Sequence, residues 1–360
     1  MNNLLRIEPT QARGAAMALG AAVLFGASAP ISKLLLSECG PLMLAAILYL
    51  GAGLGLLAGG MRPSARADRG RREAGLKAAD APTIAAAVLC GAILGPSFMM
   101  LGLQRVSAVT GSLLLNLEPP LTILFAVVWF REHLGWRQAG AAALILLGEA
   151  IVGYRSGELG AGWTGVGAVA LACMFWAIDT NLNQRLSLRD PVALGCLKGL
   201  AGGFVMLVLA LAAGERLPAA PIILWGLLLG SVSYGASIVL FFLALRALGA
   251  ARVAAYFATA PFIGALAAVP ILGDRLRGAD LAAMVSMAGG LALLLRESHD
   301  HAHEHAEMDH DHAHVHDEHH RHEHGPEAPP GARHAHPHHH PAMTHSHPHL
   351  PDLHHRHDHR

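Results

Sequence analysis

Long apolar runs alternate with short polar punctuation along most of this chain. Candidate spans lie near residues 14–36, 41–60, 82–102, 108–129, 138–154, 163–183, 191–213, 220–243, 250–272 and 279–296. Each approaches the roughly 20 apolar residues a helix needs to cross the hydrocarbon core. None shows strand alternation, and open backbone cannot be satisfied in lipid, so helices are expected. The pattern predicts an all-α integral membrane protein of ten transmembrane helices. After Ser298 the pattern stops: residues 299–324 read HDHAHEHAEMDHDHAHVHDEHHRHEH. Residues 297–360 are expected to form a disordered His-rich tail.

Composition sharpens that division. The 360 residues are 53% hydrophobic and 14% charged, against roughly a quarter charged in a soluble domain. Of 25 histidines, 24 fall in residues 299–360 and His133 is the exception. The net charge of zero averages an acidic tail with a basic body, whose arginines sit between apolar runs. With the N-terminus inside, cytoplasmic segments hold Arg62, Arg66, Arg69, Arg71, Arg72 and Lys77 among others. The opposite side receives few basic residues, so the positive-inside rule orients the chain. A multi-pass protein of the cell (inner) membrane is expected, with both termini cytoplasmic. Arg6 and Arg13 before an apolar run and Ala27-Ser28-Ala29 imitate a cleavable leader. The run continues past that point, so a retained first helix after a cytoplasmic segment 1–13 is expected. Cys39, Cys90, Cys173 and Cys196 show no CxxC spacing and read as apolar filler.

The two halves of the body match at an offset of 142. Leu103 aligns with Leu245, Ala108 with Ala250, Pro119 with Pro261, Glu132 with Asp274, Leu134 with Leu276 and Gly148 with Gly290. Gly51, Gly55 and Gly59 in span 2 are echoed by Gly195, Gly199 and Gly203 in span 7, spacing that lets helices approach closely in lipid. Five spans repeated once give copies of opposite orientation, here 14–154 and 163–296. Inverted repeats are an architecture of secondary transporters.

The segment LQRVSAVTGSLLLNLEPPLTILFAVVWFREHLGWRQAGAAALILLGEAIV resembles an EamA repeat of the drug/metabolite transporter superfamily, as does ALRALGAARVAAYFATAPFIGALAAVPILGDRLRGADLAAMVSMAGGLALL. Both carry a polar loop, a small-residue run, a mid-span proline, an acidic residue opening the next loop and a Gly-bearing last span. The resemblance covers roughly residues 14–296. It implies ten helices around a cavity lined mainly by spans 1, 3, 4, 6, 8 and 9. The His-rich tail departs from it.

Charges inside spans are the candidate chemistry, since each costs about 2.5–3.5 kcal/mol on insertion scales. Glu118 lies mid-span in LNLEPPL, where Pro119 and Pro120 release the carbonyls of Leu115 and Asn116. Those carbonyls beside a carboxylate suit a cation, Glu118 suits a coupling proton, and a plain proline kink is the structural alternative. Glu149 in span 5 stands as far from the 130–137 turn as Glu118. The two could share a proton or a divalent ion, but a partner-seeking acid in the outer half of its span is expected at Glu149. In span 6, Asp179 and Asn183 share a face with Trp176. Lys198 lies nearly as far beyond the 6–7 turn as Asp179 lies before it, so a buried ion pair is expected, which a proton or cationic substrate would open. Asn116, Ser233, Tyr234, Tyr256 and Thr259 are further polar candidates, each also suited to a helix–helix hydrogen bond. Met99 and Met100 read as packing.

In the tail, residues two apart face alike in an extended chain. His299, His301, His303 and His305, then His310, His312, His314 and His316, are expected to bind Ni, Co or Zn as flexible, multiple sites. No cofactor is required by the body. A spacer, a tail charging near pH ~6.5 and adventitious chelation are the alternatives for the tail. The partners expected are the lipid bilayer and a small-molecule or ion substrate, with no nucleic acid; a homodimer is compatible with the pattern. No enzyme is expected, because no loop carries a catalytic constellation. Export of a small metabolite or drug-like solute is the leading reading. The alternatives are divalent metal efflux assisted by the tail, and a membrane-tethered metal buffer.

Overall fold

A computed structural model describes residues 9–60, 75–130, 136–155, 163–186, 189–248, 253 and 256–295, and tail residues 302–305, 308–314, 334–340 and 343–346. Among the described residues, the regular elements of the body are all helical. In the first half come α1 (Pro9–Gly26), α2 (Ser28–Leu35), α3 (Pro41–Gly60), α4 (Ala81–Ala87), α5 (Gly95–Arg105), α6 (Ala108–Leu114), α7 (Glu118–Phe130) and α8 (Trp136–Arg155). The second half holds α9 (Trp163–Leu186), α10 (Pro191–Ala212), α11 (Ala220–Leu229), α12 (Ser237–Leu248), α13 (Ala260–Leu272) and α14 (Gly278–Leu295).

Among the described residues, seven helical stretches are long and apolar enough to cross a membrane: Arg13–Leu35, Pro41–Gly59, Ala78–Arg105, Ala108–Phe125, Trp163–Asn183, Pro191–Ala212 and Ala220–Phe241. Three shorter apolar helices lie at Ala139–Val152, Ala260–Leu272 and Gly278–Leu293. Of the expected span at 250–272, residues 250–252 and 254–255 lie outside the described residues; a turn at 258–259 leads into α13, with Pro261 in its first turn.

Two joints recur at the offset of 142. A π-helical turn at Val88–Leu94 joins α4 to α5, and another at Gly230–Ala236 joins α11 to α12. A tight 3-10 turn at Leu115–Leu117 precedes α7, which begins at Glu118; α13 begins 142 residues later, at Ala260. This corrects the expectation of a freed Leu115 carbonyl, which accepts the Glu118 N–H instead. The chain breaks and restarts at Glu118, so Pro119 and Pro120 fall in a first helical turn where a missing N–H costs little.

Helix pairing is symmetric under exchange of the two halves. α3 packs on α10 and α8 on α14, each with its own counterpart, while α1 packs on α12 as α9 packs on α5; α6 packs on α13. Glycine permits the closest of these contacts: a Cβ at Gly199 would stand 2.6 Å from the Gly53 amide nitrogen. The larger core gathers Met43, Leu44 and Leu48 of α3 with Met100 and Leu103 of α5, Val169 and Cys173 of α9 and Met206 of α10. A second core joins Val109 and Leu113 of α6, Val152 of α8, Ala265 and Ala268 of α13 and Met287 of α14.

The tail differs from the expected disorder at its described residues. β1 (Ala302–His305) pairs antiparallel with β4 (Met343–Ser346), and β2 (Met308–His314) with β3 (His334–His340). Both ladders share one register, with His303 opposite His345, His310 opposite His338, His312 opposite His336 and His314 opposite His334. The period-two alternation of histidine suits extended backbone, and two such stretches can pair. His299, His301 and His316 lie outside the described residues.

Candidate functional site

The first π turn organises the polar interior. Two side chains donate to the Gly91 carbonyl: the Tyr49 hydroxyl at 2.8 Å and the Trp176 Nε1–H at 3.2 Å. Single π turns inside α-helices are rare and frequent at functional sites, and here two donors from different helices converge on one. Gly91 has no side chain because the Asp179 carboxylate occupies the place a Cβ would take. Trp176 likewise crowds Gly95. The Trp176/Asp179 face of α9 is thereby seated on the π turn of the other half.

Lys198 Nζ lies 2.7 Å and 2.6 Å from the two Asp179 oxygens. Their side chains are 14% and 12% exposed in the protein alone. This is the ion pair expected from the equal distances to the 6–7 turn. Asn183 adds a side-chain hydrogen bond to Asp179, and its own Oδ1 is buried without a partner. Glu118, half-buried at the first turn of α7, accepts a 3.0 Å hydrogen bond from Thr180 Oγ1. The helix N-terminus favours negative charge there. Thr180 adjoins Asp179 in sequence, so α9 carries one acidic group and the donor to the other. Two carboxylates, one ammonium, an indole and a phenol thus share a contact between the halves, an arrangement able to exchange a proton or a cation for an internal ion pair.

Other candidates stand elsewhere. Asn116 is buried and donates to the Leu113 carbonyl at 3.1 Å, with Met287 Sδ 3.6 Å away. Thr259 donates to the Tyr256 carbonyl at 2.6 Å, and Tyr256 packs against the small cluster of Ala18, Ala244 and Val253. Tyr234 belongs to the second π turn and to an aromatic chain: its ring lies 5.7 Å from Phe25 and 5.7 Å from Tyr49, and Phe25 lies 5.4 Å from Phe257. Ser233, on the same turn, is buried. Met99 and Met100 are core residues. The expectation that Glu149 finds a partner is overturned, since both of its carboxylate oxygens are buried without a hydrogen bond. Apolar neighbours surround it, and Glu118 is engaged with Thr180.

Several contributors escaped the sequence. Thr180, Tyr49 and Gly91 carry no local signature, because a π turn is not visible in composition. Lys33 closes the end of α5 by donating to Val106 O at 2.7 Å and Gln104 O at 3.3 Å. Its signal was a lysine near the end of an apolar run. Glu215 accepts from the amides of Leu42 (3.3 Å) and Met43 (2.7 Å), capping α3. Burial, reinforced by Glu215, raises the neighbouring Cys39 thiol to about 11. On the side expected to be cytoplasmic, Arg189 pairs with Asp80 at 2.7 Å.

Against known proteins, residues 12–154 and 163–296 each match the EamA-like transporter family. A protein of Methanothermobacter thermautotrophicus, named an uncharacterized transporter, is 31% identical over 273 residues, covering 71% of this chain and 78% of its own length. A solved crystal structure shares the fold at a TM-score of 0.58 and 19% identity, covering 79% of this chain and 96% of its own. The twofold match and this relative establish that the chain belongs to the EamA-like transporter family and is a multi-pass membrane transporter.

Proposed function

We propose that the protein exports a small metabolite or drug-like solute by alternating access, with ten helices crossing the cell membrane as two inverted five-helix repeats. The observation that carries this reading is the Asp179–Lys198 pair seated against Gly91 of the opposite repeat. An ion pair inside apolar helices is weak evidence for stability and a marker of transport paths. A cationic group or proton arriving at Asp179 releases Lys198 and loosens the contact between repeats. Glu118 of α7, held by Thr180 of α9, offers a second carboxylate. Both termini stand in the cytoplasm on this reading, and the surrounding partners are lipid and solute.

Efflux of Ni, Co or Zn is the second reading, favoured by alternating histidines that stand opposite one another across the tail ladders. Cellular metal content separates the possibilities in a metal-sensitive host making the full chain, a chain stopped after Ser298, or Glu118→Gln. Lower metal with the full chain, lost in Glu118→Gln, supports metal efflux, and the shortened chain then reports the role of the tail. Metal that rises with the tail whatever stands at 118 marks the tail as a buffer. Unchanged metal directs the search to organic solutes, whose export should fail in Glu118→Gln; export of every tested solute unaffected by that change sinks the assigned path.

A further inference from the structure

Glu149 sits on α8, is 6% exposed and has no hydrogen-bond partner for either carboxylate oxygen. Beside it, Gly148 brings α14 close, since a Cβ there would stand 2.6 Å from Met287 Cγ and 2.9 Å from the Ala283 carbonyl. The repeat supplies an internal control. At the offset of 142 its counterpart is Leu291, 7% exposed on α14. Packing at this position is therefore satisfied by an apolar side chain in one repeat and by a carboxyl in the other. Glu118 differs: it has Thr180 as donor and a helix N-terminus beneath it.

The ionisable groups around Glu149 offer no compensation among the described residues. On α14 there is Asp280, which accepts from the Arg277 amide in the first turn. The contacting α6 and its 3-10 turn hold no ionisable side chain, α7 contributes Glu118, and the buried Cys173 of α9, whose thiol donates to the Leu114 carbonyl, supplies no positive charge. The arginines of α8 itself, Arg137 and Arg155, occupy its two ends. A carboxylate with no cation and no donor is not sustained in such surroundings, whereas a neutral carboxylic acid is.

We propose that Glu149 is a proton-binding site, carrying its proton as a neutral acid while α8 and α14 are in contact and releasing it to water when they part. The proton leaves from a carboxyl oxygen and no other bond changes. That such release serves transport rests on the reading above; the protonation itself does not.

Infrared spectra of the purified protein in lipid vesicles at neutral pH test the site. The wild type should show the carbonyl stretch of a water-shielded carboxylic acid, retained in Glu118→Gln and absent from both Glu149→Gln and Glu149→Leu. Absence of the band from wild type, or its survival in both Glu149 variants, overturns the proposal. Thermal unfolding in sodium, potassium or choline chloride distinguishes a bound cation: equal wild-type Tm values are expected, and a rise specific to one cation that Glu149→Gln abolishes also overturns it. Glu149→Leu should match or exceed wild-type Tm, with the gap widening as pH rises. A short bifunctional thiol reagent joining Leu144→Cys to Gly289→Cys, whose positions face across α8 and α14, tests release. The acid band should persist to higher pH in linked than in unlinked protein, and identical pH dependence contradicts coupling of release to separation.

Discussion

The two π turns stand at equivalent places in the two repeats and are held by different chemistry. Val88–Leu94 receives Trp176, Tyr49 and the Asp179–Lys198 pair. Gly230–Ala236 receives the Leu48 carbonyl against Gly230 and the Phe25 ring against Tyr234. The turn is thus a property of the fold, while the charges around it are not. The same contrast recurs at Glu118 against Ala260, and at Glu149 against Leu291. At these two positions the other repeat packs an apolar residue, so packing alone did not require the carboxyl.

The contrast can be broken most forcefully at its ion pair. Asp179→Ala leaves Lys198 buried without a partner and should destabilise by about 3–5 kcal/mol. Adding Lys198→Met should restore most of that, as seen by thermal unfolding in lipid. A double variant as unstable as the single one would mean that the pair holds the fold. Next in size is Gly91→Ala, whose Cβ enters the space of the Asp179 carboxylate and should cost about 1–3 kcal/mol. The matching Ser233→Ala should cost about 1 kcal/mol or less. Equal losses would erase the distinction between the turns.

The repeats also meet at their helix ends, where smaller effects are expected. Glu215→Ala removes the acceptor for the α3 amides and should cost about 1 kcal/mol, read from the same unfolding curves. The smallest effect is chemical. Burial first, and Glu215 second, raise the Cys39 thiol to about 11, so it stays protonated and slow toward maleimide below that pH. Glu215→Gln removes the negative charge, lowers the value and should speed labelling at a given alkaline pH. Unchanged labelling would detach Cys39 from the cap.

Much of the frame was legible before the fold was known, for identifiable reasons. Apolar length located the helices, and the coincidence of Pro119 with Pro261 and Gly148 with Gly290 fixed the offset that the π turns later obeyed. Asp179 and Lys198 could be paired because a hairpin equates distances from its turn. Hairpin geometry failed for Glu118 and Glu149, since equal depth does not fix rotation about a helix axis. Thr180 took one carboxyl and nothing took the other. Tyr49 was invisible because its partner is a backbone carbonyl, in a turn that has no residue signature. The tail pattern pointed to extended backbone, and pairing between its stretches was the step not drawn from it.

The most direct measurement is the set of small solutes that cells release when making wild-type protein, Asp179→Asn or Glu118→Gln at equal membrane abundance. Release of at least one solute by wild type, lost in both variants, is the expected result. Release that persists unchanged in both variants would contradict the assignment of a transport path to the contact around Gly91.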